Sequence, residues 1–69
     1  MINTELLNQY IQDSGLKRKH IASRLGITAY GLANKINNRT SFTAKEIAVL
    51  AELLCIPQDD VFSIFLSVE

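Results

Sequence analysis

Apolar residues recur along this chain at spacings of three and four, broken at short intervals by glycine or polar residues. That is the period of one-sided helices, and strict alternation never runs long enough to form a convincing strand. Breaks fall at Gly15, Gly26, the polar run 37–41 and Ile56-Pro57. They divide the chain into five segments, each read as a helix, at about 4–14, 17–25, 29–37, 44–55 and 57–65. The pattern predicts a small all-α fold, with residues 1–69 as one domain.

Within the first segment, Leu6, Leu7, Tyr10 and Ile11 form one stripe, with Tyr10 read as core. Gly15 then suits the position just past a helix end, where positive φ is common. In the second segment Ile21, Ala22 and Leu25 form the inner side, while Lys17, Arg18, Lys19 and Arg24 point away and His20 is exposed. Thr28 is a good cap for the third segment, since its hydroxyl can accept an orphan backbone N–H. Leu32 and Ile36 face inward there, and Gly31 costs the helix about 1 kcal/mol relative to alanine. Thr43-Ala-Lys-Glu46 is a capping box, flanked by Phe42 and Ile47 as a hydrophobic staple. Cys55 reads as a small buried filler. Pro57 opens the last segment, and Asp59 and Asp60 suit the positive end of its dipole. Val61, Phe62 and Phe65 are expected on its inner stripe, leaving Ile64, Leu66 and Val68 for other faces or a tail.

Charge changes the picture. The chain has 7 basic and 7 acidic residues and no net charge. Every base (Lys17, Arg18, Lys19, Arg24, Lys35, Arg39, Lys45) lies within 14–45, and that span contains no acid. A neutral chain with an all-basic middle is a dipole, and one face can still meet phosphates. One Cys and one His exclude an internal disulfide and a zinc site assembled by one chain. No phosphate loop, Ser-His-Asp set or metal motif appears, so neither catalysis nor a cofactor is expected. No run approaches a membrane span, and the start lacks the features of a signal peptide, so the expected location is the cytoplasm.

The second and third segments are the informative pair. Gly26-Ile27-Thr28 joins two short helices, and Ala22 precedes Gly26 by four residues. A helix crossing another at a steep angle needs a small residue there, and the turn needs glycine where φ is positive. The run Lys19-His-Ile-Ala-Ser-Arg-Leu-Gly-Ile-Thr28 resembles the helix-turn-helix of Cro/repressor-type (XRE) regulators. Gly31-Leu-Ala-Asn-Lys-Ile-Asn-Asn-Arg39, Ser41-Phe-Thr-Ala-Lys-Glu-Ile47 and Val61-Phe62 with Ile64-Phe65 are similar to the small versions common in phages of Gram-positive bacteria. The likeness spans roughly Leu6 to Phe65 and implies a lambda-repressor-like domain with its recognition helix at about 29–37. If the chain is phage-encoded, its place is the bacterial host cytoplasm.

The resemblance implies base-reading positions at Thr28, Ala29, Tyr30 and Asn34. Asn34 is chemically the best reader, because an amide can pair bidentately with adenine. Phosphate contacts are expected from Arg18, Lys19, Lys35 and Arg39. Two functions follow. The first is a DNA-binding transcriptional regulator acting on duplex DNA as a homodimer, paired through a C-terminal surface of Ile64, Leu66 and Val68. The second is an antirepressor that binds a phage repressor protein. Its motive is that Ala29, Gly31 and Ala33 are short for base readers, while the acidic ends of the chain match a basic surface.

Overall fold

In the computed structural model, which describes residues 2–66, the chain forms five helices. They are α1 (Thr4–Ser14), α2 (Arg18–Leu25), α3 (Ala29–Ile36), α4 (Ala44–Leu53) and α5 (Gln58–Phe65). No strand occurs among the described residues. Helix α2 packs against α3 and α4, and α5 packs against α4 and α1. No helix among the described residues is long and apolar enough to cross a membrane.

The core is aliphatic. Leu7 and Ile11 from α1, Ile21 and Ala22 from α2, and Leu32 and Ile36 from α3 meet Leu50, Leu54, Ile56 and Ile64. No polar or charged residue is buried among the described residues. Dispersion and the removal of apolar surface from water therefore hold the fold, at about 25 cal/mol per Å² buried. Phe42 and Phe65 add an edge-to-face contact at the rim, with ring centroids 5.5 Å apart. Both line one cavity with Ile47, beside the expected staple.

Helix ends follow one chemistry repeatedly. Gly26 has φ +76°, and its N–H donates to the Ser23 carbonyl while Ile27 N–H donates to the Ala22 carbonyl. That paired arrangement satisfies carbonyls which the helix itself leaves open. Asn38 (φ +65°) closes α3 the same way, through Asn38 to Lys35 and Arg39 to Asn34. Cys55 (φ +54°) does so for α4, through Cys55 to Glu52 and Ile56 to Ala51. Cys55 is thus an exposed residue in a tight turn, not the buried filler its size suggested. The left-handed backbone that ends α4 turns its side chain to solvent, and it ends the helix two residues before the boundary expected from periodicity. Pro57 likewise takes the cap position of α5, with extended ψ of 154°, instead of its first turn.

Helix α5 departs furthest from expectation. Ile64 is fully buried, and Phe62 is 62% exposed. The inner stripe is Val61, Ile64 and Phe65, so Phe62 lies about 200° around the helix from Ile64, on the outer face. The Asn3 N–H donates to the Ile64 carbonyl at 2.8 Å and pins that face to the start of α1. Tyr10 is half-buried, and its hydroxyl donates to the Asp60 carboxylate on α5. That hydrogen bond, some loss of solvent, and the nearby charges of Asp60 and Asp13 hold the Tyr10 phenol above its ordinary pKa.

Candidate nucleic-acid interface

The edge built by α2, the Gly26-Ile27-Thr28 turn and α3 holds most of the expected contact residues. Thr28 caps α3, its hydroxyl accepting from the Gly31 N–H at 2.9 Å. A methyl group at Gly31 would stand 3.3 Å from that same hydroxyl oxygen. Glycine therefore leaves the cap room, which gives its helix-weakening presence a local reason. Ala22, which precedes the turn by four residues, is 2% exposed and takes the Ile27 N–H at 3.0 Å, so the turn is locked onto the body of α2.

Leu32 and Ile36 anchor α3 in the core. Tyr30 and Asn34, four apart, lie on the opposite side of the helix. Tyr30 is 76% exposed, the largest exposure of any large hydrophobic residue described. Asn34 is half-buried, and its carbonyl accepts from Arg39 N–H at 2.8 Å. Thr28 and Ala29 are exposed at the leading end of α3. Tyr30 and Asn34 thus share one side of α3, whereas Thr28 and Ala29 are exposed at its leading end on other faces of the helix.

The four expected phosphate contacts do not share one situation. Lys19 in the first turn of α2 and Arg39 beyond α3 are exposed. Arg18 is exposed too, with one guanidinium nitrogen donating to the Asn8 side-chain oxygen of α1 at 2.6 Å. Lys35 is different. Its ammonium lies 3.1 Å from a Glu46 carboxylate oxygen, with both side chains only 15% exposed. It also donates to the Ser41 carbonyl at 2.8 Å and stands 5.9 Å from the centre of the Phe42 ring. Lys35 is an inward tether between α3 and α4 rather than a free cation.

Glu46 does two jobs with one oxygen. The Oε1 that meets Lys35 also accepts the Thr43 N–H at 2.9 Å, and the Thr43 hydroxyl accepts the Glu46 N–H at 3.1 Å, which completes the capping box. Partial burial works against the charged carboxylate. The Thr43 N–H and the Lys35 charge outweigh it and bring the Glu46 pKa below its ordinary value.

Asp59, Phe62 and Leu66 share the outer face of α5 by helical spacing. Leu66 is 52% exposed. Of the expected pairing residues, Ile64 belongs to the core, Leu66 is available, and Val68 lies outside the described residues. Phe62, not Ile64, is the exposed residue beside Leu66. Its signal in the sequence was the spacing of four to Leu66, which competes with the equally regular stripe through Val61 and Phe65.

No family model matches the chain, and no curated protein or solved structure matches it significantly.

Proposed function

We propose that this chain binds duplex DNA as a transcriptional regulator, with α2 and α3 as a helix-turn-helix and α3 as the recognition helix. The observation that carries this reading is the outward side of α3: Tyr30 is 76% exposed at the leading end of a helix anchored by Leu32 and Ile36. Lys19, Arg39 and Arg18 are exposed as well, in a span of sequence that holds no acid. A helix of this kind enters the major groove by its N-terminal end, where Thr28, Ala29 and Tyr30 stand, and Asn34 is the residue able to pair with adenine.

Tyr30 supplies most of the reach. With alanine at 29 and 33 and glycine at 31, the remaining readout is a methyl contact from Ala29 and one amide. Affinity then depends on phosphate contacts and on pairing two copies, for which Phe62 and Leu66 are the available surface. The test is an anisotropy titration with labelled duplex across a range of salt. Each neutralised phosphate contributes about 0.9 to the slope of log affinity against log salt. Saturable, salt-weakened binding that falls with Lys19→Ala and Arg39→Ala supports the reading. No binding at micromolar protein and low salt rejects it.

A second reading has its own observation. The outer face of α5 joins exposed Phe62 and Leu66 to the acidic Asp59, and neither α5 nor α1 contains a base. A partner protein with an apolar pocket and a basic rim, such as a phage repressor, complements that face. Sedimentation of the chain alone and with a purified repressor separates self-pairing from hetero-association, and Phe62→Asp abolishes either one.

A further inference from the structure

We propose that the groove between the end of α2 and the start of α4 is a phosphate-binding site, with Arg24 and Lys45 as its cationic walls. Neither residue belongs to the contact set read from the sequence. The inference adds a contact to the DNA reading above, and it stands on separate residues.

The groove has a volume of about 330 Å³. It is lined by Ser23, Arg24, Leu25 and Gly26 from one side and by Thr43, Lys45, Glu46 and Val49 from the other. Arg24 and Lys45 are both exposed, and their side chains make no ion pair or hydrogen bond among the described residues. Two unpaired cations from different helices thus border one concavity although like charges repel; the dipole of α2 favours Arg24 in its last turn, but no such preference accounts for Lys45 in the first turn of α4. Ser23 and Thr43 add hydroxyl groups to the same walls.

The one acid in the lining is already spent. Glu46 is paired with Lys35, which reaches it from α3 and is not a lining residue, and its Oε1 also holds the Thr43 N–H. The Lys35 charge cancels the Glu46 charge, so the groove keeps the net positive charge of Arg24 and Lys45. A guanidinium is planar and grips two oxygens of one phosphate, while an ammonium serves as a point charge beside it. A phosphate group, with several acceptor oxygens, fits this mixture better than a carboxylate does. Gly26, which opens the turn leading into α3, is one of the lining residues.

The experiment is an amide-shift titration of the nitrogen-15-labelled chain, first with inorganic phosphate and then with a short duplex. It is repeated on Arg24→Gln/Lys45→Gln. Both positions are exposed, and a thermal melt checks that the variant stays folded. The expected result is a saturable shift confined to amides 23–26 and 43–46 on phosphate addition, lost in the variant. With duplex, the same amides move, and the variant lowers the salt slope by about one, the loss of one phosphate contact. Phosphate shifts without any duplex binding would sustain the groove and sink the DNA reading. Duplex binding with these amides unmoved and the slope unchanged would sink the groove and sustain the DNA reading. Shifts that are non-saturating, or that persist in the double variant, overturn the proposal.

Discussion

Replacing Gly26 by alanine tests whether the junction between α2 and α3 is set by backbone conformation. Gly26 has φ +76° and ψ +25°, and a β-carbon built there would find no atom within 4 Å. Packing therefore contributes nothing to the change, and the whole effect comes from the backbone. An L residue in the left-handed region costs roughly 1–2 kcal/mol. Against this, alanine restricts the unfolded chain and returns about 0.4–1 kcal/mol. The net is a loss of about 1 kcal/mol, from a total that for a domain this small is on the order of 3–5 kcal/mol. In a thermal melt followed by circular dichroism, a loss of that size lowers Tm by about 4–8 °C. Gly26→Asn is the internal control. Asparagine tolerates this region, and Asn38 already occupies it at the end of α3 with φ +65°. The asparagine variant is expected to lose less than half as much. An alanine variant that melts with the native protein, or an asparagine variant that melts no higher than the alanine one, would contradict a backbone origin for the loss.

Three further outcomes follow from the same geometry. Cys55→Gly relieves a left-handed cysteine and raises stability by about 1 kcal/mol, seen as a later urea midpoint; the native thiol, being exposed, reacts with a disulfide reagent without unfolding. Glu46→Gln keeps an oxygen for the Thr43 N–H but loses the charge facing Lys35, and costs about 0.5–1 kcal/mol near neutral pH. Because the folded pKa of Glu46 is lowered, its contribution is present above the unfolded carboxylate value of about 4.3 and is lost as pH falls through the folded value. The gap between variant and native protein therefore closes in acid, and a gap that stays constant down to pH 2–3 would contradict this assignment (roughly two units below the unfolded value). Tyr30→Ala leaves stability within about 0.5 kcal/mol, since the residue packs on little, while lowering affinity for duplex.

Much of this architecture was legible from pattern. The caps at Thr28 and Thr43 and the turn glycines at 15 and 26 carry local signals that do not depend on tertiary context. The inner residues of α2 and α3 were legible too, because each short helix offers one apolar side only. Helix α5 was not, because its apolar residues are too many for one side. Val61-Phe62-Phe65 and Val61-Ile64-Phe65 satisfy the same periodic template, and the choice is made by packing on α1 and α4 and by the Asn3 to Ile64 hydrogen bond. The exposure of Cys55 is not legible either, because residue type speaks for burial but not for a left-handed turn. The pairing of Lys35 is not legible in the sequence because its partner, Glu46, lies eleven residues on, across a loop whose path the sequence does not specify. The basic character of the middle segment was plain from the chain, whereas the share of it consumed in internal pairing emerged only in three dimensions.

The proposed function places the leading end of α3 against DNA. The most direct measurement is the pattern of amide protection when a duplex selected from a random pool is added to the folded chain. Residues 28–34 are expected to change most, with Tyr30 foremost, and Tyr30→Ala and Asn34→Ala are expected to reduce the preference for the selected duplex over a scrambled one. Changes confined to the outer face of α5 around Phe62 and Leu66, or no change at all with the protein folded and salt low, would contradict it.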